Sequence, residues 1–175
     1  ASHWNDGKRE IELIKSSATA QQFDQILTHA LNGDAASTVK GAVVDDVSAL
    51  TTAKTLSLKD ATSVTAKLQS NGTDKYLTST DLHAKVTAID LNNQTAILDA
   101  TDLAKSITGS GTYSIKDSDA SIAGLAAAKF TGKAITITNE ASVDHLATIS
   151  AKSGAIAYTK LTDTAAKIAG SLSDI

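Results

Sequence analysis

The 175-residue chain carries 16 Lys and Arg against 19 Asp and Glu, a formal net charge of −3, and is 42% hydrophobic but only 3% aromatic. Its acids and bases are interspersed, and the longest basic cluster, Lys8-Arg9, is too small for the basic face that neutralises phosphates, so nucleic acid is not an expected partner. Cysteine is absent, which excludes disulfides, thiolate metal sites and cysteine nucleophiles; no apolar run approaches the roughly 20 residues that cross a bilayer, so membrane insertion is not expected.

The apolar content is mostly Ala, Val, Ile and Leu, so a core built from it needs many small, regularly spaced contacts. Methionine is also absent and the chain begins at Ala1, the expectation being a processed form or a piece of something longer.

Residues 1–36 predict an α-helical N-terminal cap. A first short helix is expected from near Asn5 or Asp6 through Ile11, Leu13 and Ile14, with Trp4 ahead of it. For a second helix, Thr19 followed by Gln22 has capping-box spacing. Phe23, Ile26, Leu27 and Leu31 then share one helical face, and Asn32-Gly33 supplies a left-handed stop.

Residues 37–175 predict a repeat array of about seven units, in the period range of short-repeat solenoids. The helix of each unit is anchored on Val47, Val64, Leu82, Leu103, Ile122, Val143 or Ala165, at spacings of 17 to 22 residues. The preceding residue is Asp46, Ser63, Asp81, Asp102, Ser121, Ser142 or Thr164, always a side chain able to accept from free helix N–H groups. An apolar residue follows three or four positions on: Leu50, Leu68, Val86, Ile107, Leu125, Leu146 or Ile168. Upstream lie the period-2 pairs Leu56/Leu58, Tyr113/Ile115, Ile135/Ile137 and Ile156/Tyr158, as half-buried strands require.

Helices of two turns and lone five-residue strands are not stable by themselves, so each unit needs its neighbours. The expected fold is α/β: a short-repeat β–α solenoid, an LRR-like stack of parallel strands and short helices behind the helical cap, with right-handed connections. The chain stops at Ile175 inside or just after a helix, so either the array continues or that end meets a partner.

The last unit, Leu161-Thr162-Asp163-Thr164-Ala165-Ala166-Lys167-Ile168-Ala169, resembles the "DTAANI" repeat of very large exported and surface proteins of bacteria. Those are often companions of the hemolysin-type (RTX) calcium-binding proteins sent out by type I secretion. Tyr113 to Leu125 and Ile135 to Leu146 are looser versions. The resemblance implies a secreted or cell-surface location and a structural or adhesive task. Lys167 stands where the family pattern has Asn, and the glycine- and aspartate-rich nonapeptides that bind calcium in RTX proteins are missing, which argues against calcium.

Asp45, Asp46, Asp60, Asp81, Asp99, Asp102, Asp117 and Asp119 are spread one or two per repeat, where helix capping accounts for them better than calcium, which needs six to eight converging oxygens. No histidine among His3, His29, His83 and His145 pairs with another at i+3 or i+4, so a helical zinc face is absent and they read as surface residues. Gly109-Ser110-Gly111 follows a predicted helix and precedes a strand, which makes it a turn rather than a phosphate loop. GxSxG and HExxH motifs are not found. No catalytic, cofactor or metal residue is therefore predicted.

The expected function is that of a non-enzymatic scaffold, surface-layer or adhesin segment of an extracellular bacterial protein, its partners being protein or itself. The alternative is a solenoid domain that recognises one specific partner. Thr55, Ser57, Ser114, Thr136 and Thr138 give the predicted strand face a polar surface, but Lys59, Gln94 and Ala157 interrupt the matched threonine ladder of an ice-binding sheet. Trp4, Ser114, Thr136 and Thr138 are the candidate partner surface.

Overall fold

The computed structural model describes residues 10–30, 37–52, 54–69, 75–77 and 82–171. Trp4, His3, the start of the first predicted helix, Leu31, the Asn32-Gly33 stop and Asp81 lie outside them. The strands are β1 (Glu10–Ala18), β2 (Thr38–Asp46), β3 (Ala61–Lys67), β4 (Lys75–Tyr76), β5 (Ala88–Asp90), β6 (Gln94–Leu98), β7 (Ser106–Thr108), β8 (Gly111–Asp117), β9 (Ile135–Ile137) and β10 (Ile156–Ala157). The helices are α1 (Ala20–Gln25), α2 (Ala100–Leu103), α3 (Asp119–Ala123), α4 (Val143–Ser150) and α5 (Ala165–Gly170). The fold is mixed α/β with parallel sheets, as expected. No helix among the described residues is long and apolar enough to cross a membrane.

The chain divides into two compact units, one formed by Ala1–Ser70, Thr80–Asn92 and Lys105–Gly109, the other by Asn71–Ser79, Asn93–Ala104 and Ser110–Ile175. The first holds a parallel sheet in the order β1-β2-β3-β5-β7. Its opening strand corrects the predicted N-terminal helical cap. Residues 10–18 are strand because Ile11 and Leu13 alternate with Glu10 and Glu12, a period of two rather than 3.6.

β1 pairs with β2 at Glu10↔Thr38, Ile11↔Val39 and Glu12↔Lys40, and the register resumes only at Ser17↔Ala42. Ile14, on the same side of the strand as Glu10 and Glu12, is 70% exposed. Gly41 is required at this crossing, since a Cβ there would lie 2.7 Å from the Leu13 Cβ. The second predicted helix does form as α1, with the full Thr19/Gln22 capping box, and it runs on into a π-helical turn at Ile26–Ala30. Phe23, Val39, Val43, Leu50, Leu58, Val64, Leu68 and Ile89 form this unit's core.

The first three predicted repeat helices are absent. Val47 opens only a turn, in which the Leu50 N–H reaches the Asp46 carbonyl at 3.2 Å. Val64 lies in β3, where Val64 and Ala66 alternate with less buried neighbours. Leu82 makes an isolated antiparallel bridge with Thr51. Val64 and Leu68 satisfy i, i+4, but with Ala66 they satisfy i, i+2, i+4 equally, and the β-branched Thr62, Val64 and Thr65 favour the strand. Leu56/Leu58 is not a strand, although Leu58 is buried.

The second unit follows the predicted pattern more closely. Its sheet runs β10-β9-β8-β6-β4, every pair parallel. In sequence α2 follows β6, α3 follows β8, α4 follows β9 and α5 follows β10. Leu98, Ile115, Ile135 and Ile156 share one column across the sheet. Val143, Leu146 and Ile149 give α4 a single buried stripe.

Ser142 and Thr164 cap α4 and α5 as predicted. The caps of α2 and α3 are Asp99 and Ser118, one turn before the predicted Asp102 and Ser121. Gly109-Ser110-Gly111 is a turn, but it follows strand β7 rather than a helix. Gly109 has a φ of 74°, and a Cβ there would fall 1.9 Å from Asp90 Oδ1.

Candidate functional site

The aspartates read from sequence as helix caps have a more specific arrangement in the structure. Asp117 ends β8. Its Oδ1 accepts the N–H of the next residue, Ser118, at 2.6 Å, while its Oδ2 accepts the N–H of Ala100, the first residue of α2, at 2.9 Å. Asp163 divides its oxygens in the same way between Thr164 N–H (2.8 Å) and Val143 N–H, which opens α4 (3.2 Å). In the first unit Asp45 does so between Asp46 N–H (2.8 Å) and Ala20 N–H, which opens α1 (2.9 Å).

Asn139 performs the second half of this task for α3, its Oδ1 accepting the Asp119 N–H at 2.9 Å. Each carboxylate or amide thus lies 17, 20, 20 or 25 residues beyond the helix it closes. Helices α1 to α4 thus have one cap of their own and a second acceptor from a later strand or the residues just after it, which satisfies a first-turn N–H that a single N-cap leaves open.

The densest node is Asp119, 4% exposed at the start of α3. Its Oδ1 accepts from Ala120 N–H (2.7 Å) and Asn139 Nδ2 (2.9 Å). Its Oδ2 accepts from Ser142 N–H (2.9 Å) and Ser142 Oγ (3.1 Å), and it lies 2.8 Å from His145 Nδ1. Burial pushes this carboxyl's pKa up. Hydrogen bonds from Asn139, the Ser142 backbone, His145 and the Ser142 hydroxyl outweigh it and hold the group well below the usual carboxylate range.

His145 is thus a partner of Asp119 rather than a free surface residue. Sequence reasoning missed this because the two stand 26 residues apart, with no local motif joining them. The trio Asp119, Ser142 and His145 does not form a nucleophilic relay. In such a relay the histidine stands between serine and aspartate; here the aspartate stands between the other two. The serine hydroxyl is already committed, donating to Asp119 and accepting from the His145 N–H.

Among the described residues no group of three or more His, Asp or Glu side chains is arranged to hold a metal ion. Lys167 bonds Asp144 across successive segments at 2.6 Å. That hydrogen bond and its charge raise the Lys167 pKa.

Of the predicted surface residues, Trp4 lies outside the described residues. Ser114 is half-buried on β8, while Thr136 on β9 and Thr138 just beyond it are exposed. They share the outer face of the sheet without forming a matched row: Ser114 is opposite Ile97, and Thr136 lies between Lys116 and Ala157. One threonine pair does form, Thr95 Oγ1 lying 3.2 Å from Thr112 Oγ1. A separate open groove of about 820 Å³ in the first unit is lined by residues including Leu13, Ser16, Gln22, Gln25, Ile26 and His29. Compared with protein-family models, with curated proteins and with solved structures, the chain matches none.

Proposed function

We propose that this chain is a non-enzymatic structural or adhesive module of an extracellular bacterial protein, built as a short-repeat β–α solenoid. The observation that carries this reading is the recurring clamp, in which Asp45, Asp117 and Asp163 each hold the first N–H of the preceding helix. A fold that spends its carboxylates on joining one segment to the next is suited to bearing load or spacing surfaces. The secreted or cell-surface location is supported by the resemblance of Leu161 to Ala169 to exported repeats. Antibody to the protein should label intact cells that express the native gene, or their culture medium. A signal that appears only after lysis overturns the extracellular assignment.

A second reading, a domain that recognises one specific protein, is favoured by the groove beside β1 and α1. It predicts a saturable partner that is displaced by Ile26→Asp; binding unaffected by that change removes the groove from consideration.

A further inference from the structure

In the second unit, the amides of the isoleucine column donate forward to the next segment. Ile115 N–H reaches the Ala134 carbonyl at 2.9 Å, and Ile135 N–H reaches the Ala155 carbonyl at 2.8 Å. Ile156 stands next in the column, on β10, the edge strand of this sheet among the described residues. Parallel pairing directs the N–H and C=O of alternate residues to the same side, so the Ile156 amide faces away from β9.

The apolar residues around this edge are also half-exposed where their counterparts are buried: Ile156 against Ile135, Leu161 against its bridge partner Ala141, and Ile168 against Leu146. Among the described residues the clamp stops at the same place. Ala20, Ala100, Asp119 and Val143 each meet an acceptor from a later segment, and Ala165 holds the equivalent place at the start of α5.

We infer that the outer edge of β10, with Leu161 and Ile168, is a docking surface for a polypeptide segment of defined chemistry. That segment is a short strand adding parallel to β10, followed by an Asp or Asn that accepts the Ala165 N–H, followed by a short helix with one apolar stripe. This rests on the stacked-coil reading of the proposed function and names the partner that such a stack accepts. The occupant follows from continuity with the interfaces already present, because the same three elements cover β8 and β9. Strand addition supplies the main-chain bonds, and the acidic or amide residue fixes the register.

The test fuses a second copy of residues 154–175 directly after Ile175 of the full chain, so that tethering supplies the effective concentration. Amide hydrogen exchange at Ile156 is expected to slow by about tenfold or more relative to the unfused protein. The same fusion carrying Ala165→Pro is expected to lose most of that protection. Proline removes the N–H yet is accepted at the first helical position, so α5 still forms. Unchanged exchange at Ile156 in the fusion overturns the docking surface. If Asp117→Ala still destabilises the protein in that case, the stacked-coil reading survives the failure. If the unfused protein instead self-associates with rising concentration and protects Ile156, the occupant is a second copy of the chain and the stated partner is overturned.

Discussion

Ser142 and Thr164 open α4 and α5 in the same way, each hydroxyl accepting the N–H three residues on at 3.4 Å. Four residues after each cap stands an apolar side chain, and upstream of each lies a strand with isoleucine in the shared column. Yet Ile135 and Leu146 of the inner coil are buried, while Ile156 and Ile168 of the end coil are half-exposed. The two share a local pattern and differ in that, among the described residues, only the inner one is followed by another strand–helix segment. Burial in this unit therefore follows succession: the inner strand–helix segment is covered by the one after it, as the nearest-neighbour energetics of the proposed stack would require.

The largest expected break in that symmetry is at the isoleucine column. Ile135→Ala should cost about 2–5 kcal/mol, the usual range for emptying a buried aliphatic site. Ile156→Ala should cost about 1 kcal/mol or less, because its side chain is only partly withdrawn from water. Urea titration of the two variants measures the difference. Equal losses would mean that the end coil is as well packed as the inner one.

Next comes Asp119. Asp119→Ala leaves Asn139, Ser142 and His145 without their shared acceptor and should cost about 2–3 kcal/mol. The same group makes stability depend on pH. Its folded pKa lies below its unfolded value, so its contribution is complete above about pH 4 and drains away as pH falls towards the folded pKa. Melting curves of the wild type and Asp119→Asn should therefore be furthest apart near neutrality and converge in acid. A constant gap down to the lowest pH would remove Asp119 as the source.

The same comparison shows where the sequence was legible. The caps at Ser142 and Thr164 could be found because one polar acceptor precedes one apolar stripe. At α2 and α3 two acceptors stand three residues apart, Asp99 and Asp102, Ser118 and Ser121, and either can open a helix. The apolar anchor then selected the wrong one by a turn. In the first unit the ambiguity was of period, since Ile11/Ile14 fits a helix and Ile11/Leu13 a strand. Pairing with β2 decided it, and pairing is a long-range fact that local periodicity does not contain. The parallel order of the sheets was foreseeable from strand–helix alternation. The division of each clamp carboxylate between its own turn and an earlier helix was not, because its two ends lie about 20 residues apart.

The smallest effect is the most discriminating. Proline at the first residue of a helix costs little by itself, and the residues before positions 100 and 165 are both extended, with ψ of 173° at Asp99 and 148° at Thr164, as proline requires of its predecessor. Ala100→Pro nevertheless removes the N–H that Asp117 accepts and should cost about 1 kcal/mol. Ala165→Pro removes an N–H that no later coil of the described residues meets, and should leave stability within about 0.5 kcal/mol of the wild type. Asp117→Ala separates the clamp from any local effect of proline. If the carboxylate is what joins the two segments, Asp117→Ala should cost at least as much as Ala100→Pro, because its bond from Ser118 N–H is lost as well, and the double variant should lose little more than Asp117→Ala alone. Additive losses would mean that Asp117 and Ala100 act independently, and the clamp would then be a geometric coincidence rather than the joint between coils.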